Sequence, residues 1–308
     1  MSILIVGAGA TGGYFGARLA AAGRDVTYLV RERRAAQLHQ RGLRITLPGG
    51  TTMVTEPNLV TAAQLAGTVP ADVVLVTVKA AGLHAVIDEA GPAAGPATAI
   101  VPVLNGMRHL DTLNAAFGAD RVLGGVALLS AQLDRNGDIR LLNDATSLRI
   151  GAQDRQRTPA VEQAGGQLSG AGFPLSVSDD IVADMWSKWA FIAAAGAVTC
   201  LLRGTVGEIT AAGGGEVARA VVEETQAVAR AAGYPVPDRD LHQTLAVLTT
   251  PGSPFTSSMY RDLQQGRPVE VEPILGDLTA AARKENVRTP LLDAATTALR
   301  VYQSTFTN

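Results

Sequence analysis

Ile3-Leu4-Ile5-Val6-Gly7-Ala8-Gly9-Ala10-Thr11-Gly12 decides the fold of the N-terminal half. Four apolar residues in a row read as a strand covered on both faces, and the Gly7-x-Gly9-x-x-Gly12 spacing follows without a gap. An Ala-rich helical stretch, Gly12–Ala22, comes next, and Gly23 ends it. In this strand–loop–helix setting each glycine has a purpose. Gly7 permits the tight turn, Gly9 lets backbone approach a pyrophosphate, and Gly12 lets the helix close on the strand. Ala10 and Thr11 then stand at a helix N-terminus, where free N–H groups and the positive end of the helix dipole favour phosphate. Gly7, Gly9, Ala10, Thr11 and Gly12 are the expected dinucleotide-binding residues.

Outward from this loop, Asp25–Val30, Val73–Val78 and Ile100–Leu104 are further near-continuous apolar runs, as parallel strands require. Arg44–Leu47 and Thr52–Val54 flank Pro48-Gly49-Gly50 and predict a small hairpin insertion. Val122–Leu133 and Ile139–Leu142 predict a second hairpin around Arg135-Asn136-Gly137, and Leu148–Ile150 predicts one more strand. Past Ser176–Asp180 the pattern turns helical: Ile181–Leu202, Glu216–Ala232, Arg239–Leu248, Ser257–Gln264, Pro273–Glu285 and Pro290–Phe306. Glycine and proline clusters such as Gly213-Gly214-Gly215 and Gly266-Arg267-Pro268 separate these helices. The reading is an α/β protein, with a Rossmann-type dinucleotide-binding domain over residues 1–177 and an all-helical domain over 178–308.

The end of the second strand bears on the choice of nicotinamide cofactor. A site for NAD usually places a carboxylate there for the ribose 2′-OH. Here Tyr28-Leu29-Val30 runs into Arg31, with Arg33 and Arg34 close behind. A guanidinium suits a 2′-phosphate, so NADP(H) is the expected cofactor and Arg31 its discriminating contact. Glu32 is the competing ribose ligand if the strand ends one residue later.

Composition narrows the rest. At 308 residues the chain is long enough for two domains with real cores. A net charge of −2 and only 4% aromatic residues argue against nucleic acid or an anionic membrane surface as partner. The single cysteine, Cys200, excludes an internal disulfide, fits a reducing cytoplasm, and reads as an inert core thiol. His39, His84, His109 and His242 form no ligand spacing, so no metal is expected. The 14-residue apolar stretch Trp189–Leu202 is short for a bilayer and fits either a core helix or the interface of a homodimer. Of 26 basic residues only three are lysines, Lys79, Lys188 and Lys284. A lysine inside an apolar segment invites a chemical explanation, because an amine can be tuned to give up a proton and a guanidinium hardly can.

Taken together, Gly7–Gly12, Arg31, Thr77-Val78-Lys79, Leu104-Asn105-Gly106, Trp186-Ser187-Lys188-Trp189, Ser257–Asp262 and Glu270 resemble the ketopantoate reductase (2-dehydropantoate 2-reductase) family over nearly the whole chain. The resemblance implies a Rossmann domain followed by a helical domain, with the active site between them. It implies that Lys188 is the catalytic lysine and Glu270 the carboxylate that places it. It assigns Asn105 and Lys79 to the nicotinamide side, and Ser258 and Asn105 to the substrate. Read from the residues alone, Lys188 could pair with Asp184 on a helix surface, though its place between Trp186 and Trp189 before an apolar run favours a functional role; Lys79 could end a strand, and Glu270 could be a loop carboxylate.

Two positions on the lysine's own helix face depart from the family. Family members carry asparagines one and two turns after the lysine, and a third before the later Gly-Glu pair. Here these positions are Ile192, Gly196 and Val206. Ile192 and Gly196 are expected to line an apolar and roomier substrate pocket. The expected function is NADPH-dependent reduction of a small 2-keto acid, with 2-dehydropantoate to pantoate the default. Its rivals are an NADP-linked 2-hydroxyacid or opine-type dehydrogenase, and a non-catalytic NADP(H) sensor.

Overall fold

Ile3, Leu4, Ile5 and Val6 leave no polar face, and all four are buried, so the opening strand belongs in the middle of a sheet. The computed structural model describes residues 2–65 and 67–306. Its strands are β1 (Ser2–Val6), β2 (Asp25–Leu29), β3 (Leu43–Thr46), β4 (Thr52–Thr55), β5 (Asn58–Val60), β6 (Val73–Val76), β7 (Ala99–Pro102), β8 (Leu123–Leu133), β9 (Ile139–Ala152) and β10 (Leu175–Val177). The helices are α1 (Ala10–Ala21), α2 (Glu32–Arg41), α3 (Ala62–Leu65), α4 (Leu83–Ala90), α5 (Arg108–Phe117), α6 (Pro159–Leu168), α7 (Ile181–Leu202), α8 (Val206–Ala211), α9 (Gly215–Ala231), α10 (Asp238–Thr249), α11 (Ser258–Gln264), α12 (Asp277–Lys284) and α13 (Pro290–Ser304).

The chain divides into two compact units. The first gathers Met1–Leu104 and His109–Val182; the second gathers Asn105–Arg108 and Ala183–Asn308. In the first, a five-stranded sheet runs β5-β2-β1-β6-β7 with every pairing parallel. Val6 lies level with both Leu29 and Val76, so β1, β2 and β6 end side by side under the glycine loop. A second sheet runs β10-β9-β3-β4, with β8 also paired to β9. The predicted insertion hairpin is therefore the β3–β4 end of this sheet, and β3 itself pairs parallel with β9.

Two differences from the sequence reading have simple causes. Leu148–Ile150 is not a separate strand but the far half of the 14-residue β9. A register shift in β8–β9 between Leu129 and Ala131 hides that continuity from any alternation pattern. Short strands β5 and β10 have too few apolar residues to be seen without the neighbours they pair with. α1 and the strands close one core in which Phe15 meets Phe173 edge to face at 4.8 Å.

In the second unit, every regular element among the described residues is a helix or helical turn. α7 is 22 residues long and apolar enough to cross a membrane by length and composition, yet 67% of its apolar 18-residue window is buried in the fold. Burial explains its composition as that of a core helix. α8 begins with a capping box: Thr205 accepts from the Glu208 N–H, while the Glu208 carboxylate accepts from the Thr205 N–H.

Candidate active site

The glycine loop has the geometry its spacing requires. Gly7 has φ +97°, open to glycine at little cost. A Cβ on Gly12 would overlap the Gly7 carbonyl oxygen and Thr77 Oγ1, so only glycine lets α1 close this tightly. A Cβ on Gly9, by contrast, would stand in open space. The loop thus presents bare backbone at Gly9, with the N-terminus of α1 behind it, as a dinucleotide pyrophosphate needs. Thr77 braces the loop from β6, donating its hydroxyl to the carbonyls of Val6 and Gly7 at 2.9 Å each. The resemblance motif Thr77-Val78-Lys79 begins with this brace, and Lys79 follows it in an exposed position.

The arginines after β2 divide their work. Arg31 is exposed at the N-cap of α2. Arg34 turns inward: its Nε donates to the Ala8 carbonyl at 3.0 Å, and its Nη1 to the carbonyl of Gly137 at 3.0 Å and to Gln37 Oε1 at 2.6 Å. Burial lowers its guanidinium pKa, and the Asp138 carboxylate offsets part of that. Arg34 therefore ties the glycine loop to the β8–β9 turn, a role that its place in an arginine cluster did not reveal.

In the second unit, α7 carries Lys188, flanked in sequence by Trp186 and Trp189, whose buried rings meet at 4.8 Å. Burial pulls the lysine pKa down to about 8, and the Glu270 carboxylate acts in the opposite direction. Glu270 Oε2 also accepts from Asn105 Nδ2 at 3.3 Å. Three residues far apart in sequence thus form one charged and polar cluster: an amine tuned towards neutrality, a carboxylate, and an amide.

The backbone around Glu270 is irregular for a reason. Just beyond it the helix leading into α12 opens into a π turn, Glu272–Gly276. The Ile274 carbonyl in that turn accepts the Trp189 indole N–H at 2.9 Å in a buried bond. Gly106, with φ +80°, packs so closely on the Pro273 carbonyl oxygen that a Cβ there would overlap it. An ion pair joins Arg108 to Asp277 at the start of α12. The turn that follows Glu270 is held from α7 through Trp189 and from the Asn105 segment through Gly106 and Arg108.

Comparison with known proteins now decides the family. The family model described as Ketopantoate reductase PanE/ApbA matches residues 3–155, and its C-terminal counterpart matches residues 180–303. The chain belongs to the ketopantoate reductase family. It is 33% identical to the uncharacterized oxidoreductase YkpB of Bacillus subtilis over 99% of both chains. The crystal structure of 2-dehydropantoate 2-reductase from Geobacter metallireducens is 26% identical, with a TM-score of 0.86 over 98% of this chain and 99% of that one. A D-mandelate dehydrogenase is 20% identical with a TM-score of 0.87 over the full length of both chains, a likeness of fold alone. This family member is an oxidoreductase.

Two of the three positions that the resemblance marks as departures lie along α7, and the third, Val206, opens α8. Ile192 is half-buried one turn after Lys188, and Gly196 is buried two turns after it. The expectation of a roomier floor at Gly196 is corrected here. A Cβ on Gly196 would overlap Cε of Met259, a side chain only 3% exposed, so the methionine methyl occupies that space. Ser258, next to Met259, is exposed at the start of α11. Its neighbour Ser257 is the buried N-cap: its Oγ accepts from the Tyr260 N–H at 3.0 Å and bonds Thr199 Oγ1 on α7 at 2.7 Å. Cys200 is buried with its thiol pushed up to about 12, chiefly by burial, which fits an inert core thiol. Sequence reasoning quoted Trp189 and Met259 as parts of motifs but missed their contacts, with Ile274 and with Gly196. Neither carries a local signal, because each acts through a partner on another helix.

Proposed function

We propose that this family member reduces a small branched 2-keto acid to the 2-hydroxy acid with NADPH in the cytoplasm, 2-dehydropantoate to pantoate being the reference reaction. The observation that carries the reading is Lys188, an ammonium whose pKa burial brings to about 8 beside the Glu270 carboxylate. Gly7, Gly9, Ala10, Thr11 and Gly12 would hold the cofactor's pyrophosphate and Arg31 its 2′-phosphate, with Lys79 and Asn105 near the nicotinamide. The open face at Gly9 fits such a group. When bound, NADPH supplies the hydride that adds to the ketone carbon.

The chain's own residues supply the rest. As the carbonyl π electrons move onto oxygen, the Lys188 ammonium stabilises the growing charge and then gives its proton to that oxygen. The product is a hydroxyl, and the neutral amine takes a proton back from solvent. Glu270 opposes the effect of burial and so favours the charged form of Lys188. Asn105, bonded to Glu270, limits the directions that carboxylate can face. Ser258 would meet the substrate carboxylate.

The test is NADPH oxidation with a panel of 2-keto acids, followed by Lys188→Ala. The variant should bind NADPH normally while kcat falls by roughly two to four orders of magnitude. The protonated amine is the acid, so the wild-type rate should decline as pH rises through about 8, and the variant should lack that limb. Glu270→Gln removes the charge that raises the lysine pKa, so its limb should appear at lower pH. NADPH binding without oxidation by any 2-keto acid would favour a cofactor sensor instead.

A further inference from the structure

Lys188, Ile192 and Gly196 are spaced four residues apart on α7 and share one face of the helix. Along that face the ammonium is followed by an aliphatic side chain and then by bare backbone. The backbone is not left open, because the Met259 methyl occupies the position of the absent Cβ. Met259 is also held in place. Ser257 bonds Thr199 at 2.7 Å, and the Tyr260 hydroxyl donates to the Arg203 carbonyl at 2.7 Å, so the first turn of α11 is fastened to the end of α7 on both sides of the methionine. No hydrogen-bonding side chain stands at 192, 196 or 259.

We propose that Met259 is a specificity-determining residue: with Ile192 it forms the apolar wall against which the substrate's carbon chain lies, and it sets the length of chain accepted. The inference rests on the reductase reading above and names the substrate class within it: 2-keto acids with a short, branched, purely hydrocarbon chain. A hydroxyl on that chain would leave water without gaining a protein partner, a cost hydrocarbon does not incur. An apolar wall discriminates against an added hydroxyl only moderately, so a factor of about ten to a hundred is expected. The unbranched thioether fits its methyl against several shapes of chain and still closes the end of the lane.

The experiment compares 2-dehydropantoate with 3,3-dimethyl-2-oxobutanoate, the same skeleton without the terminal hydroxyl, at saturating NADPH. The wild type should show kcat/KM at least about tenfold higher for the deoxy compound. A preference for the hydroxylated compound overturns this inference and leaves the reductase reading intact. Absence of turnover with every 2-keto acid overturns both. Met259→Ala should then shift the ratio of kcat/KM for 2-oxooctanoate over 3,3-dimethyl-2-oxobutanoate upward by about tenfold, on the scale of a few methylenes in an apolar pocket. Gly196→Ala should shift it downward, because the new Cβ drives the Met259 methyl into the lane. If both variants keep the wild-type ratio, Met259 does not line the substrate. If Met259→Ala fails to fold, Gly196→Ala still tests the methionine wall, and the wild-type comparison tests the substrate class without any variant.

Discussion

Arg31 and Arg34 lie three residues apart at the start of one helix, yet their surroundings give them different chemistry. Arg31 is exposed, whereas Arg34 spends its donors on the Ala8 and Gly137 carbonyls and on Gln37. Arg31→Ala is expected to weaken NADPH binding by on the order of 1–3 kcal/mol and to leave NADH binding nearly unchanged, since one charge-assisted phosphate contact is lost. Arg34→Met should weaken both cofactors by the same factor, because it loosens the loop that any dinucleotide must use. Calorimetric titration with each cofactor separates the two roles; equal losses in Arg31→Ala would remove that residue from the 2′-phosphate. Sequence made the cluster visible but not this division. A side chain's hydrogen-bond partners are set by backbone that folding brings near, not by its neighbours in the chain.

At the scale of the element, α7 and the π turn before α12 work as a pair. The extra residue of a π turn displaces a carbonyl from the helical ladder, and here Ile274 offers its carbonyl to Trp189. Trp189→Phe keeps an aromatic ring in the same place and leaves a buried carbonyl without that donor, at a cost of about 1–3 kcal/mol. Chemical denaturation should show that loss. If the bond also fixes Glu270 relative to Lys188, the alkaline limb of the rate should move below its wild-type position near pH 8, since a displaced carboxylate supports the ammonium less. Tyr234→Leu is the control: it removes the ring stacked on Trp186 at 5.5 Å and leaves Trp189 its bond to Ile274, so the limb should stay in place. An unmoved limb in Trp189→Phe would make that bond purely structural. The helix was legible over Pro273–Glu285 from its apolar period, but the π turn inside it was not. Hydrophobic period reports which face is buried and says little about a single inserted residue.

At the scale of the whole molecule, the two compact units each carry part of the expected chemistry: the glycine loop in the first, Lys188, Glu270 and Asn105 in the second. Cofactor binding should therefore stabilise the first unit directly. At a hundredfold excess over its Kd, NADPH should add about 2.7 kcal/mol to unfolding of the unit that binds it. Differential scanning calorimetry with and without NADPH should show the first unit's transition moving upward, and Arg34→Met should diminish that shift at the same NADPH concentration. No shift at saturating NADPH would remove the glycine loop from cofactor binding.

The sequence by itself determined the strand–loop–helix around Gly7–Gly12, the parallel strands beside it, and the helical character of the C-terminal half. These are local matters: apolar period, glycine where φ is positive or space is short, and caps all act within a few residues. Only the tertiary structure decided which distant groups meet. Asn105 and Glu270 are 165 residues apart, Trp189 and Ile274 are 85 apart, and Arg34 reaches Ala8 across 26. At Gly196 the sequence showed only a missing side chain, which reads as space. The fold placed the Met259 methyl there, because interiors pack to density and a gap beside one helix is filled from another.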